Sequence, residues 1–290
     1  MKIAVIGAGI MGNGIAQISA MNGYDVGLVD RGEAELDRGL EAIKVSLARF
    51  RKAGRLGEEE SDATVARIAP TTSIEHAVDS ASVVVEAVPE ILELKHDVLK
   101  AAVAAAPRDT IFASNTSQLS ITRIAAPLGD AATRLVGAHF FNPPVLMALV
   151  EIVAGDLTSE DTIGRARTYA ESIGKEVVLC RKDMTGFITT RAYAALRLEC
   201  IRILEDGVAT AEDIDKALRL GFNFPMGPLE LGDFNGLDTF YHAATSLEQA
   251  YGDRFHPPER LKELFESGRL GRKSGEGFYR YDEAGRRHSS

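Results

Sequence analysis

The chain has 290 residues, of which 45% are hydrophobic and 26% charged, which is ordinary for a globular protein long enough to hold two domains. Its formal net charge of −9 excludes broad electrostatic attraction to nucleic acid or to an anionic membrane. No apolar run approaches the roughly 18 residues that a membrane helix needs, and a strand predicted almost at Met1 leaves no room for a signal peptide. We therefore expect a cytoplasmic protein with no membrane or nucleic-acid partner.

The two cysteines, Cys180 and Cys200, are separated by 19 residues and show no spacing typical of a metal or redox site. We expect both to be reduced, partly buried thiols. The sequence predicts no metal centre.

Strands and helices alternate through the first part of the chain. Short β-branched runs predict strands, and apolar residues at helical spacing predict the helices between them. The predicted strands are 2–6, 25–29, 82–86, 110–113, 135–138, 149–153 and 176–179, and the predicted helices are 10–21, 33–52, about 90–105, 120–126 and about 159–173. This alternation favours a parallel, doubly wound sheet.

The pattern changes after Asp183, where strand signals vanish and long helical periodicity begins. Helices are predicted over 187–205, 211–220 and 228–251. We place a domain boundary near 181–184, with an α/β domain over residues 1–183 and an all-helical domain over 184–290.

A glycine-rich segment links the first predicted strand to the first predicted helix. Gly7, Gly9 and Gly12 form a G-x-G-x-x-G pattern, with Ile10 and Met11 at the start of the helix. The first glycine permits a tight turn, the second lets the backbone approach a pyrophosphate, and the third allows close helix–strand packing. The helix N-terminus then presents amide groups to phosphate oxygens. This predicts a Rossmann-type dinucleotide site.

An acidic residue, Asp30, closes the second predicted strand 18 residues after Gly12. A carboxylate at this place accepts hydrogen bonds from a ribose 2′-hydroxyl and repels a 2′-phosphate. The cofactor predicted is therefore NAD rather than NADP. The alternatives are that Asp30 is an ordinary carboxylate at the start of a loop and that the glycines form an ordinary tight turn. Both together are improbable.

His139 follows an apolar strand, at the end of a sheet where open α/β folds bind ligands. A lone histidine beside two phenylalanines is more often structural. Glu151, however, interrupts the apolar run 149–153, and a carboxylate in a buried strand needs a partner. A histidine base oriented by a carboxylate suits alcohol oxidation by NAD, in which a base takes the hydroxyl proton. A satisfied structural role for Glu151 is the alternative.

Two further segments are candidates for substrate contact. The run 114–117 follows a strand at the same sheet edge, although a Ser/Asn/Thr turn is more often only a turn. Residues 49–55 carry four positive charges in an acidic protein. A solvated helix face is the default interpretation, and a site for an anionic substrate group is the functional one.

These motifs together resemble the L-3-hydroxyacyl-CoA dehydrogenases, especially the bacterial 3-hydroxybutyryl-CoA type, over essentially the whole length. The matching stretches are 5–12 (VIGAGIMG), 84–90 (VVEAVPE), 114–117 (SNTS), 139–143 (HFFNP), 225–228 (PMGP), 236–238 (GLD) and 270–279 (LGRKSGEGFY). Several of them are specific to this family rather than to Rossmann folds in general.

The resemblance implies that His139 is the general base, that Glu151 is its partner, and that Ser117 contacts the substrate oxygen or the nicotinamide end. It implies further NAD contacts at Ala87, Glu90, Lys95, Asn142 and Lys273. Ser46 and Lys52 fall near the helix that contacts coenzyme A in the family. The implied fold is a Rossmann domain followed by a helical domain that forms a homodimer interface.

One departure from the family concerns the substrate. The family pattern Gly-Phe-Ile-x-Asn-Arg appears here as residues 186–191 (GFITTR), so Thr190 stands where an asparagine near the substrate and the catalytic histidine is expected. A threonine hydroxyl is shorter and does not offer a separate donor and acceptor atom. Ala195 replaces a proline that usually follows. These changes leave the reaction type intact, but they bear on the acyl specificity and on the preference for coenzyme A, and they keep a free-acid substrate as an alternative.

Three hypotheses follow. The leading one is reversible, NAD-dependent oxidation of an (S)-3-hydroxyacyl-CoA thioester. The second keeps the fold and the base but takes a free 3-hydroxy acid, as relatives acting on carnitine or gulonate do. The third is a non-catalytic NAD-binding protein, as crystallin-like relatives are, and the joint presence of Ser117, His139 and Glu151 argues against it.

Overall fold

The computed structural model describes Met1–His288. The chain divides into two compact units, Met1–Met184 and the residues from Thr185 onward. Within the described part of the chain, no helix has the length and apolar character needed to cross a bilayer.

The first unit is built on an eight-stranded sheet. Its strands are β1 Lys2–Ile6, β2 Asp25–Val29, β3 Ile68–Thr71, β4 Ala81–Glu86, β5 Ile111–Ser114, β6 Leu135–Phe140, β7 Leu149–Val153 and β8 Glu176–Cys180. They lie in the order β3-β2-β1-β4-β5-β6-β7-β8. The first six are mutually parallel, whereas β7 pairs antiparallel to β6 and parallel to β8. The strand order therefore reverses between β1 and β4, as in a doubly wound fold.

The helices of this unit connect the strands. They are α1 Ile10–Met21, α2 Glu33–Lys52, α3 Glu58–Ala66, α4 Ile74–Val78, α5 Leu92–Ala105, α6 Ile121–Ala125 and α7 Glu160–Ser172, with a 3-10 segment at Ala126–Arg134. The amphipathic spacing of α2 buries Leu36, Ile43 and Leu47 in the sheet-side core. Burying each such side chain contributes about 1.5–3 kcal/mol relative to leaving it in water.

The predicted Rossmann-type sheet is confirmed, with three local differences. The edge strand β3 went unpredicted because it contains Pro70, which only an edge strand accommodates readily. The strand β6 extends past His139 to Phe140, because antiparallel pairing with β7 continues it. The sheet is mixed rather than wholly parallel, since β7 follows β6 through a short connection instead of a crossover helix.

The second unit is helical, as predicted. Its helices are α8 Thr189–Glu205, α9 Ala211–Phe222, α10 Pro228–Asn235, α11 Leu237–Tyr251 and α12 Glu259–Glu266, with short 3-10 turns at Asp253–Phe255 and Arg272–Ser274. The single helix expected over 228–251 is wrong: it is two helices, because Gly236 has φ 95° and ends α10. The core of the unit includes Leu198, Leu229, Leu237, Phe240 and Leu261.

Two buried carboxylates fasten the C-terminal segment to the helices of the second unit. Asp233 on α10 accepts hydrogen bonds from the backbone N–H groups of Phe278 and Tyr279 and from the Tyr281 hydroxyl. Asp215 on α9 accepts bonds from two backbone N–H groups at the start of α10 and from the Tyr279 hydroxyl. Each carboxylate therefore accepts three hydrogen bonds from backbone and phenol donors.

Candidate active site

The carboxyl ends of β1, β4, β5 and β6 lie side by side at one edge of the sheet. The segment after β1 is the glycine-rich turn, and those after β4 and β5 carry Ala87 and Asn115. His139 stands one residue before the end of β6. In open α/β sheets this edge, at the reversal of strand order, is where ligands bind.

Close approach of backbone explains two of the glycines in the turn. Gly7 has φ 106°, and a Cβ atom there would lie 2.6 Å from the Ala87 carbonyl oxygen. A Cβ on Gly12 would overlap the Gly7 carbonyl oxygen. A Cβ on Gly9, by contrast, would meet no atom within 4 Å, so this is the open side of the turn. That open backbone fits the pyrophosphate of a dinucleotide.

The first helix begins directly behind this turn. Gly9 is the N-cap of α1, and no side chain caps its first amides. Ile10 and Met11 therefore place their N–H groups at the positive end of the helix dipole, with the Ile10 side chain exposed. This arrangement favours an anionic group such as a phosphate.

Asp30 lies at the end of β2 and is hydrogen-bonded to the glycine turn itself. Its Oδ2 accepts a bond from the Ala8 N–H at 2.7 Å, and its Oδ1 accepts one from the Arg31 N–H at 2.7 Å. A carboxylate has about four acceptor positions, so both oxygens retain capacity for a ribose hydroxyl. The same side chain thus supports the turn and suits the predicted ribose contact.

The sheet brings His139 and Glu151 together across two strands. They are directly opposed in the antiparallel register of β6 and β7, and His139 Nδ1 lies 2.7 Å from Glu151 Oε2. Glu151 is fully buried and His139 is 8% exposed. A buried carboxylate is stable only with such a partner. An ionised carboxylate can only accept, so Nδ1 is the donor in this bond, and a neutral imidazole in that tautomer carries its acceptor at Nε2.

The end of β6 is fixed by a side chain from the neighbouring loop. Asn115 Oδ1 accepts a hydrogen bond from the Phe140 N–H at 2.9 Å, while the Asn115 N–H donates to the Glu86 carbonyl. The Phe141 ring packs against the imidazole, with centroids 4.6 Å apart. Asn115 therefore holds the backbone next to His139. The sequence analysis did not predict this role.

A buried ion-pair network lies beneath the loop after β5. Lys95 on α5 is 1% exposed, and its Nζ lies 2.7 Å from Glu86 Oε1 and 3.2 Å from Glu90 Oε2. Ser114 donates to the other Glu86 oxygen. Burial raises the pKa of the Glu86 carboxyl, and the Lys95 ammonium opposes that effect. Glu86 lies within the 84–90 stretch that resembles the family, but it was not predicted as a site residue, because sequence alone does not show that a side chain is buried.

Glu90 extends this network to Ser117. One oxygen of Glu90 accepts hydrogen bonds from the Thr116 hydroxyl, the Ser117 N–H at 3.0 Å and the Gln118 N–H at 3.2 Å. The turn that carries Ser117 is therefore fixed by charge-assisted bonds, which are stronger than neutral ones. The hydrogen bonds and ion pairs of Glu90 and Lys95 in the structure all join groups of this chain. Contact of either residue with NAD stays a prediction.

A cavity of about 440 Å³ lies between α1, α2 and the 142–146 loop. Ser46, Arg49, Phe50 and Arg55 line it, together with Asn142. Lys52 is exposed on α2, and no part of it lines this cavity. The positive charges that line the cavity are those of Arg49 and Arg55, and contact of Lys52 with the substrate stays a prediction.

A buried lysine holds the loop that forms one wall of this cavity. Lys175 donates to the carbonyl oxygens of Pro144 and Met147, at 2.5 and 2.8 Å. Burial lowers the pKa of its ammonium group. The sequence gave no signal for this contact, because Lys175 follows Gly174 and looks like a loop residue before a strand.

Two predicted site residues belong to the second unit. Thr190 is half-buried in the first turn of α8. Lys273 donates to both carboxylate oxygens of Asp238 on α11, each at 2.6 Å. Their contacts with substrate and NAD remain predictions.

The fold and this edge of the sheet define an NAD-dependent dehydrogenase: a dinucleotide turn, an acidic residue at the end of β2, and a histidine–glutamate pair at the neighbouring strand ends. Comparison with family models agrees. Residues 2–184 match the NAD-binding domain of 3-hydroxyacyl-CoA dehydrogenase, and residues 186–281 match the C-terminal domain of the same enzyme. The chain belongs to the 3-hydroxyacyl-CoA dehydrogenase family.

Individual relatives cover nearly the whole chain. A probable 3-hydroxybutyryl-CoA dehydrogenase of Deinococcus radiodurans is 41% identical, covering 97% of this chain and 100% of that protein. Human mitochondrial hydroxyacyl-coenzyme A dehydrogenase is 40% identical, covering 96% of this chain and 90% of its own length. The crystal structure of (S)-3-hydroxybutyryl-CoA dehydrogenase from Ralstonia eutropha superposes with a TM-score of 0.93 at 36% identity, covering 97% and 99% of the two chains.

Replacing Asp30 tests the assignment of cofactor preference. We expect Asp30→Ala to lower the preference for NADH over NADPH by about tenfold, because the carboxylate that repels a 2′-phosphate is gone. The ratio of the two dissociation constants, measured by nucleotide fluorescence, gives the result. Asp25→Ala is the matched control, since Asp25 begins the same strand at its opposite end. An unchanged ratio in Asp30→Ala rejects the role of Asp30 in selectivity.

Proposed function

We propose that this protein catalyses the reversible, NAD-dependent oxidation of an (S)-3-hydroxyacyl-CoA, such as 3-hydroxybutyryl-CoA, to the 3-oxoacyl-CoA, with His139 as general base. The observation that carries the proposal is the buried His139–Glu151 hydrogen bond at the nucleotide edge of the sheet. Family membership supports the substrate class, because relatives named for 3-hydroxybutyryl-CoA match along nearly the whole chain.

The proposed proton path uses the two nitrogens of one ring. NAD, when bound, accepts the hydride from the carbinol carbon of the substrate. His139 Nε2 takes the hydroxyl proton as that carbon becomes a carbonyl, and Glu151 stabilises the imidazolium through Nδ1. In the reverse direction the imidazolium returns the proton to the carbonyl oxygen. Glu151 thus acts by orienting the ring and by its charge.

Ser117 is proposed to donate a hydrogen bond to the substrate oxygen. Its turn is fixed by Glu90, and Glu90 is held in turn by Lys95. Such prior ordering reduces the conformational entropy that is lost when the substrate binds. Glu90 and Lys95 are accordingly positioning residues in this scheme.

The cavity beside α2 supports a thioester of coenzyme A rather than a free acid. No ion pair within 4.0 Å, among the residues that the structure describes, includes Arg49 or Arg55, so both guanidinium groups remain available to an anion. Arginine binds phosphate oxygens through paired N–H donors, and Ser46 adds a hydroxyl on the same wall. We place a phosphate-bearing part of coenzyme A there, with Ser46 as a contact.

Removing the imidazole tests the proposed base. We expect His139→Gln to lower kcat for acetoacetyl-CoA reduction by about 10²–10⁴-fold, the usual contribution of a general acid–base group. Glu151→Gln is expected to lower kcat by about tenfold to a thousandfold, because the tautomer is no longer fixed. NADH absorbance gives both rates.

The control for this experiment is a second histidine–glutamate pair. His256 Nδ1 lies 2.6 Å from Glu248 Oε1, but the pair is on the surface of the helical unit. His256→Gln should leave kcat within about twofold of the wild type, as surface substitutions are usually mild. A wild-type rate in His139→Gln with acetoacetyl-CoA contradicts the proposed mechanism.

A substrate panel with variants of α2 tests the thioester. We expect turnover of acetoacetyl-CoA and none of acetoacetate or dehydrocarnitine, and we expect Arg49→Ala to raise KM for acetoacetyl-CoA by roughly threefold to tenfold. Arg51→Ala is the matched control on the same helix, because Arg51 is paired with Glu58 at 2.9 Å and does not line the cavity. Turnover of a free acid alone supports the second hypothesis. Tight NADH binding without turnover supports a binding protein.

We also propose that two copies of the chain form a homodimer through the helical unit. Leu220 and Phe222 at the end of α9 are 74% and 73% exposed, and Phe224 lies close to Phe222. Large exposed apolar groups clustered in one place are typical of an interaction surface. A cytoplasmic location and the lack of a nucleic-acid partner stay predictions from the sequence.

Sedimentation tests the dimer. We expect wild-type protein at micromolar concentration to sediment with twice the mass of one chain, and Leu220→Lys/Phe222→Lys to sediment as the single chain, because a charge replaces the apolar contact. Leu157→Lys is the control, since Leu157 is 55% exposed in the first unit. A dimer in the double variant shows that this surface is not the interface.

A further inference from the structure

A second cavity lies wholly within the helical unit, and the proposed reaction does not use it. Its volume is about 310 Å³, at the lower end of the range for small-molecule sites. The lining residues lie on α8 and its N-cap or on the 3-10 turn after α11. They comprise two arginines and four apolar side chains, namely Ile188, Arg191, Ala192, Ala195, Arg254 and Phe255.

One wall of this cavity is apolar. Ile188, Ala192 and Ala195 follow one another at i, i+4 and i+7, so they lie along one side of α8. The Ile188 side chain is 48% exposed, and the two alanines are exposed and add only methyl groups to the wall. Phe255 is buried and continues the apolar lining from the 3-10 turn. This wall therefore offers an apolar surface to a carbon chain.

The two arginines of the cavity stack on the same tyrosine ring. Arg191 Cζ lies 4.0 Å from the Tyr251 centroid, and Arg254 Cζ lies 5.1 Å from it. The Tyr251 hydroxyl donates to the Thr185 carbonyl oxygen at 3.0 Å, which fixes the position of the ring. Stacking on an aromatic ring holds the plane of a guanidinium, while the N–H donors on its edge stay available to an acceptor.

Neither arginine has an acidic partner within the described part of the chain. Among residues 1–288, no ion pair within 4.0 Å includes Arg191 or Arg254. Glu248, which precedes Tyr251 by three residues, lies 2.6 Å from His256 Nδ1 instead. Two like charges beside one ring repel each other, and a bound anion relieves that repulsion while accepting hydrogen bonds from both. The pair therefore favours an anionic ligand.

We propose that this cavity is a second binding site, for a medium-chain carboxylic acid, with the carboxylate on Arg191 and Arg254 and the carbon chain along the apolar wall. A carboxylate fits because its two oxygens accept from two donors at once. A carbon chain fits because removing each CH₂ group from water is favourable. None of the lining residues is a proposed contact of the base, of NAD or of coenzyme A, so the site goes beyond the proposed function.

Calorimetric titration of the full chain with three probes tests the proposal. Hexanoate carries both the chain and the charge, hexanol carries only the chain, and inorganic phosphate carries only the charge. At fixed ionic strength we expect hexanoate to bind once per chain with a Kd of about 1 mM, and the other two probes to bind at least fivefold more weakly. Hexanoate binding should persist with saturating acetoacetyl-CoA, because the two ligands then occupy different sites.

Variants assign the binding to these residues. Arg254→Met and Arg191→Met should each weaken hexanoate binding at least fivefold, because one charge-assisted contact is lost, and Arg254→Lys should retain part of the affinity. Ala192→Asp should weaken it as well, since it adds a negative charge to the apolar wall. Arg260→Met is the matched control in the same unit, because Arg260 is paired with Glu263 at 3.2 Å and does not line the cavity. It should leave the Kd within about twofold of the wild type.

Several results would overturn this inference. A wild type that does not bind hexanoate at about 10 mM lacks the site. An unchanged Kd in the exposed-residue variants Arg254→Met and Ala192→Asp places the binding elsewhere, and loss of binding with acetoacetyl-CoA places hexanoate in the substrate site. Phosphate that binds as tightly as hexanoate shows a plain anion site. Sedimentation of Arg254→Met as a single chain, where the wild type is a dimer, assigns the arginines to a contact between chains.

Discussion

The contact between Glu151 and His139 depends on the antiparallel register of β6 and β7. A fully buried carboxylate in the middle of an apolar strand is several kcal/mol unfavourable without a partner. A slip of one residue in that register would turn Glu151 to the other face of the sheet and leave the imidazole without its carboxylate. The antiparallel direction of β7 therefore places Glu151 beside His139. The parallel strands bring the glycine-rich turn after β1 to the same edge of the sheet.

Several buried charged side chains lie near this edge of the sheet, and each has an ion-pair or hydrogen-bond partner within the first unit. Glu86, Lys95 and Glu90 form a chain that ends at the backbone of Ser117. Lys175 is held by carbonyl oxygens of the loop beside the cavity instead of by an acid. Such networks are rigid when satisfied, because breaking one member leaves another charge unpaired. Rigid placement is what a hydride-transfer site needs, since small displacements of reacting groups are costly in rate.

The helical unit contrasts with this pattern at Arg197. Asp215 and Asp233 accept bonds from the C-terminal segment, whereas the Arg197 guanidinium lies between the rings of Tyr193 and Phe240. Thr190, Tyr193 and Arg197 fall on one side of α8.

The sequence by itself determined the doubly wound sheet, the glycine turn with Asp30, the helical second unit and the pairing of His139 with Glu151, because glycine geometry, hydrophobic period and the cost of a buried carboxylate are local signals. It missed the edge strand at Pro70 and merged α10 with α11 across Gly236. Only the tertiary structure decided the antiparallel direction of β7, the burial of Lys95 and Lys175, and the packing of Arg197 between two aromatic rings. Those properties depend on which residues, distant in sequence, surround a side chain, and the local sequence pattern does not specify them.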